Sequence, residues 1–267
     1  MKTQFIIGQY KPSDSVGHRL DPRGKMLFAI LVMLLSLFTT SILFYSALIM
    51  GLIFLLRLSD IPFRTILRNV RPFLILVSIT AIYHLIFSAR ETATLVSFWG
   101  MRLTEGGVYM AVSFSLRVLV FVTIAFFLSL TIVPADMAEV IVGWLKPLRR
   151  LRVPVNDLGL ILFIAMRLIP VLSEEMDTIR KAQIVRGVDF SGGLITRARK
   201  LIYLLIPVFQ SAIRRADDLA LAIESRGYVS GAERSTYRVF AFASRDWLFM
   251  TLSTVIAVAL FVLVRYY

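Results

Sequence analysis

The chain contains no cysteine. That excludes disulfides, thiolate nucleophiles and cysteine-held metals. Its only histidines are His18 and His84, so there is no H-E-x-x-H pair and no histidine cluster to hold zinc. A G-x-x-x-x-G-K-[ST] phosphate loop is also missing: RGKM at 23–26 lacks the first glycine and the Ser/Thr. The chain is therefore not expected to be an enzyme or to carry a cofactor. Acids are scarce, with 17 Asp and Glu against 30 Lys and Arg and a net charge of +13. Only five acids lie outside residues 134–246, and none falls in an apolar run. A self-contained secondary transporter or channel, the alternative reading, would need such groups along its path. Gly and Pro are few in the apolar runs, so the broken-helix pattern of such transporters is weak as well. The first 25 residues are polar, which argues against a cleavable signal peptide.

Hydrophobic surface is abundant. Apolar residues make up 58% of the chain and mean hydropathy is +0.78, above the roughly 45–50% of soluble domains. This composition marks a membrane protein. Its positive excess suits anionic lipid head groups or acidic partners on the cytoplasmic side, and nothing points to nucleic acid. Residues 26–56 carry no charge. They are long for one pass and short for two, since a span takes about 20 residues. Residues 73–89, 107–133 and 247–264 are further candidates. The positive-inside rule chooses the topology. The N-terminal tail has five Lys/Arg, and 57–71 has four Arg and one Asp, so both are placed in the cytoplasm. Residues 26–56 then form a hairpin turning near 39–45, with arms that extend past snorkelling Lys25 and Arg57. The 90–106 loop, with two Arg and two Glu, fits the outside.

Residues 134–246 hold 17 of the 30 Lys/Arg. Letting the apolar stretch 155–172 cross would strand six Lys/Arg of 173–200 outside. The expectation is thus an all-α integral membrane protein in three parts. Residues 1–133 are a tail and four spans, 134–246 a cytoplasmic or interfacial module of three amphipathic helices, and 247–267 a fifth span. The N-terminus is inside and the C-terminus outside. The module's first helix, 134–148, has an apolar face of Met137, Val140, Ile141, Trp144, Leu145 and Leu148, with Asp136 and Glu139 resembling a capping box. The second runs from about 155 to 186 with a bend near Pro170, and the third from about 195 to 226 with a bend near Pro207. The third carries a stripe of Phe209, Ala212, Ile213, Ala216, Leu219, Ala220 and Ile223.

The second and third helices end alike, in AQIVRG (182–187) and AIESRG (222–227). Gly after a helix is an ordinary C-cap, and Arg in the last turn complements the helix dipole. The same geometry projects Arg186 and Arg226 beyond the helix rods, as rigid forks suited to carboxylates or helix C-termini. Ala182 and Ala222, one turn back, leave room for a partner to approach. Two such tips fit two grooves, and so a partner with two similar subunits. Inside the apolar runs, Arg117 reads either as a structural pair or as a functional group. His84 reads as a polar contact between helices.

HRLDPRGK (18–25), VNDLGLILFIAMRLIPVLSEEMDTIRKAQIVRGVDF (155–190) and LIPVFQSAIRRADDLALAIESRGY (205–228) resemble the transmembrane T component of energy-coupling factor (ECF) vitamin transporters, over nearly the whole chain. The resemblance implies a subunit that joins two ABC-type ATPases, which bring ATP and Mg, to a small membrane S component that binds the vitamin or micronutrient. It implies that Val185, Arg186, Gly187 and Ser225, Arg226, Gly227 dock on the two ATPases, and that Phe209, Ala212, Ala216, Ala220 and Ile223 face the S component. Family members often have Ala where this chain has Val185. The implied location is a prokaryotic cell membrane.

Overall fold

The computed structural model describes residues 15–87, 94–98, 101–151, 153–229 and 242–266. The N-terminal tail to residue 14 and residues 230–241 of the expected module lie outside them. Among the described residues, contacts divide the chain into two units, one within 8–133 and 238–267 and the other within 134–237.

The first unit starts with α1 (Val16–Arg19), α2 (Pro22–Leu37) and α3 (Ile42–Leu58). The uncharged run is a helical hairpin that turns at residues 38–41, near the start of the expected region. Next come α4 (Phe63–Val70), a 3-10 turn (Arg71–Phe73), α5 (Leu74–Phe87) and α6 (Glu105–Thr131), and the unit closes with α10 (Ser244–Tyr266). Between α5 and α6 the expected outside loop contains a small antiparallel pair, β1 (Thr94–Phe98) and β2 (Met101–Thr104). It is the only sheet among the described residues of an otherwise helical protein.

The core follows helical spacing. Phe28, Ala29 and Val32 of α2 meet Phe44, Tyr45, Leu48 and Leu52 of α3 and Val120 and Ile124 of α6. At one end Leu56, Ile61 and Ile66 close over Phe127 and Leu130. Arg117 is a structural pair. It donates from Nε to the Tyr45 hydroxyl at 2.8 Å and from Nη2 to the Thr39 carbonyl at 2.7 Å. Its guanidinium also lies 4.4 Å from the Phe114 ring centre. His84 stacks on the same Phe114 ring, with centroids 4.1 Å apart. A charge inside an apolar bundle thus closes the α2–α3 turn, where bare carbonyls need donors.

The HRLDPRGK stretch acquires a task that its sequence did not disclose. Asp21 caps α2 by accepting from the Arg23 N–H at 2.8 Å, with Pro22 at the first helical position. The Asp21 N–H donates to Asp246 of α10 at 2.9 Å. Lys25 does not snorkel: it is 1% exposed, and its ammonium donates to the Thr131 carbonyl at 3.0 Å. His18 Nε2 lies 3.3 Å from the Leu130 carbonyl. The last carbonyls of a helix lack intrahelical donors, and this stretch supplies them to α6.

The second unit contains α7 (Pro134–Leu145), a 3-10 segment (Lys146–Leu151), α8 (Val155–Val185) and α9 (Leu194–Ser225). Because α7 starts at Pro134, Asp136 sits in its first turn and complements the dipole, in place of the expected capping box. The expected apolar face of α7 is divided: Val140 is buried, whereas Ile141, Trp144 and Leu148 are exposed. Gly159 lets α8 approach α7 closely; a Cβ there would sit 3.1 Å from Val142. Pro170 and Pro207 lie inside helices that continue past them.

By length and composition, Arg64–Phe87, Glu105–Thr131, Val155–Val185 and Ser244–Val264 are able to cross a membrane, and Ile42–Leu58 is a shorter apolar helix. α8 therefore meets a span's requirements by itself. The apolarity belongs to its first half, while residues 173–185 carry Glu174, Glu175, Asp177, Arg180 and Lys181.

Candidate docking site

α8 and α9 form an antiparallel pair. Arg215 on α9 reaches Glu175 on α8 at 3.1 Å. Thirteen residues further along the chain, Tyr228 donates to Asp157 at 2.7 Å, near the start of α8. The two C-terminal ends therefore lie at opposite ends of the pair. α8 has 31 residues, which at 1.5 Å per residue is about 46 Å.

Both ends close in the same way. At the first, the Gly187 N–H donates to the Ile184 carbonyl at 3.0 Å and the Val188 N–H to the Gln183 carbonyl at 2.9 Å. At the second, the Gly227 N–H donates to the Glu224 carbonyl at 2.9 Å and the Tyr228 N–H to the Ile223 carbonyl at 3.3 Å. These are two Schellman motifs, each with glycine in the left-handed region, at φ +88 and +74. The capping is done by the glycine and its neighbour's amide, so it leaves the arginine side chains unused. Arg186 and Arg226 are exposed, and neither has a side-chain partner among the described residues. Val185 is 88% exposed. Ala182, Gly187, Ala222, Ser225 and Gly227 are exposed too, and the space around both glycines is open.

The chain leaves the two ends differently. Beyond the first, Asp189 accepts from the Ser191 N–H at 2.8 Å and pairs with its hydroxyl. Lys200 reaches back from α9 to the Asp189 and Ser191 carbonyls. The Ser191 hydroxyl, then its N–H, then the Lys200 charge hold the Asp189 carboxyl below its ordinary range. A shallow depression of about 450 Å³ is lined by Arg180, Ile184, Gly187, Val188 and Asp189–Ser191. Beyond the second end, the tether is Tyr228 on Asp157.

The expected stripe of α9 is divided. Phe209 is 67% exposed and Ala216 and Ala220 are exposed, while Ala212 and Ile223 are half-buried. Sequence reasoning missed Tyr228, Asp157, Lys200 and the Glu175–Arg215 pair. Each joins residues on different helices or across a turn, and no periodicity announces them.

The family model described as CbiQ, cobalt transport protein, matches residues 13–238. The chain is 38% identical over 262 residues to the energy-coupling factor transporter transmembrane protein EcfT of Brevibacillus brevis, covering 97% of this chain and 98% of that one. The EcfT of Bacillus subtilis is 34% identical over 264 residues, 98% of this chain and 99% of that one. The EcfT of Staphylococcus aureus is 36% identical over 264 residues, 98% of each. The chain belongs to the EcfT family. It is a multi-pass membrane component of an energy-coupling factor transporter and not an enzyme.

Proposed function

We propose that this EcfT-family chain couples two ABC-type ATPases to a small membrane S component in an ATP-driven importer of vitamins or other micronutrients. The supporting observation is the pair of matched ends. Two matching caps at opposite ends of the α8–α9 pair, each presenting an exposed arginine, suit two copies of one groove better than a single partner surface. Val185–Gly187 would dock on one ATPase and Ser225–Gly227 on the other. ATP and Mg belong to those subunits. Closure of the ATPases would move α8 and α9, and the exposed stripe of Phe209, Ala216 and Ala220, with Ala212 and Ile223 at its edge, would carry the S component. In this reading residues 134–246 lie at or below the cytoplasmic surface, with the N-terminus inside and the C-terminus outside. Arg117, which could have served the alternative of a self-contained transporter or channel, is committed to Tyr45 and Thr39.

Pull-down of the ATPases by the R186E/R226E variant, with thermal stability followed in parallel, tests the docking ends. A folded chain that no longer recovers ATPase is expected. Full recovery would leave only the capping role. In the same assay Ala216→Glu should lose the S component and keep the ATPases; loss of both would refute the assignment of that face. Orientation is tested by single cysteines, against a background that has none. Thr94→Cys should react with an impermeant reagent from outside and Ser191→Cys should not, and the opposite pattern would invert the topology.

A further inference from the structure

One charged surface is unrelated to the docking ends. On α4, Ile66 is buried and Val70 packs with it against Phe127 and Leu130. Arg64, Arg68 and Arg71 recur at i, i+4 and i+7 on the opposite side, and all three are exposed. Among the described residues none of them has an ion-pair or hydrogen-bond partner. Asp60 is the only acid between Arg57 and Arg71, and it is already engaged.

The depth of this face is set by helix length. α5 has 14 residues, about 21 Å of helix, whereas the hydrocarbon layer is about 30 Å thick. The run Arg64–Phe87 reaches spanning length, at 24 residues, only by including most of α4 and the 3-10 turn. Counted from Phe87, a span built that way puts Arg68 at the boundary between hydrocarbon and head groups, Arg64 one turn further out, and Arg71 about one turn inside, within snorkelling reach of the head groups. Leu67, 60% exposed, lies beside the arginines, and Ile75, 70% exposed, begins the apolar surface of α5. A phospholipid offers both a phosphate for the guanidinium forks and an acyl chain for this apolar surface. A soluble acidic partner would cover the charges and leave the leucine and isoleucine bare.

We propose that the Arg64, Arg68 and Arg71 face of α4 binds the phosphates of anionic membrane lipids, and so anchors the start of the α5 span. The full chain, purified in detergent, is titrated with phosphatidylglycerol or phosphatidylcholine, following bound lipid by native mass spectrometry and the melting temperature. The wild type should prefer phosphatidylglycerol, with the preference fading as salt is raised. The R64Q/R68Q/R71Q variant should bind phosphatidylglycerol roughly 100-fold more weakly and phosphatidylcholine unchanged. R64K/R68K/R71K should keep most of the attraction. Inorganic phosphate at equal concentration should not reproduce the thermal shift. Unchanged phosphatidylglycerol binding by the Gln variant overturns the proposal. So does its loss of a protein subunit from membranes while lipid binding persists, which would assign the face to an acidic protein. If the Gln variant does not fold, the wild type decides: equal binding of the two lipids, or no salt dependence, refutes the site.

Discussion

The two Arg-Gly ends are the same device held in two ways. Their caps match bond for bond, and the residues from 181 to 189 repeat the exposure pattern of 221 to 229. Their supports do not match. The first end runs into a turn stitched by Asp189, Ser191 and Lys200, so its support is local and exposed. The second is fastened by Tyr228 to Asp157, at the far end of the neighbouring helix. The presentation of the two tips is thus the same, while what holds each in place differs.

The strongest way to break this likeness is to remove one arginine at a time. Arg186→Ala and Arg226→Ala should each weaken ATPase binding by about 2–5 kcal/mol, with the melting temperature nearly unchanged. Lys should rescue only in part, because an ammonium lacks the fork. A loss of no more than about 1 kcal/mol, felt as stability, is what a dipole contact alone would give. Titrating the ATPases against each variant distinguishes the two. Marked inequality between the two arginines would mean that their grooves differ.

Smaller effects are expected at the glycines. Gly187→Ala and Gly227→Ala meet no neighbouring atoms, so only the left-handed backbone resists them, at about 1–2 kcal/mol each. The two costs should be equal by thermal unfolding. A large difference would show that one end is packed and the other free.

The supports give the smallest and least symmetrical effects. Tyr228→Phe should cost about 1 kcal/mol and raise hydrogen exchange around 226–229, leaving 186–191 unchanged. Acid should loosen the first end. The folded Asp189 carboxyl is held below its ordinary value, so its contribution is complete above the ordinary aspartate range. That contribution is lost as pH falls through the lowered folded value. Exchange at Ser191 should rise in that acidic window, and Asp189→Asn should abolish the pH dependence. A rise at Ser191 that persists in Asp189→Asn would refute that support.

The ends of α8 and α9 were legible because a Schellman cap is local chemistry. Arg-Gly after an apolar period specifies where the helix stops, and the ends fall within one residue of their expected positions. The hairpin in 26–56 was legible from length and the surrounding arginines. Arg117 was visible as an anomaly, but not its partners, because Tyr45 and Thr39 are 72 and 78 residues away. The snorkelling expected of Lys25 failed for a related reason. A long basic chain beside an apolar run points to the interface unless a helix end lies within reach, and the end of α6 does so 106 residues later. The β1–β2 pair went unseen because its strands are short and follow no sustained alternation.

Sequence by itself determined that this chain enters the membrane, that it carries no cysteine and no P-loop pattern, and that two of its helices end in matched arginine tips. Composition and local backbone preference are enough for those. Only the tertiary structure decided that the tips stand at opposite ends of an antiparallel pair, and which carbonyls Arg117, Lys25 and His18 satisfy. Buried donors and helix ends must find partners wherever packing brings them, and packing is set by the whole chain.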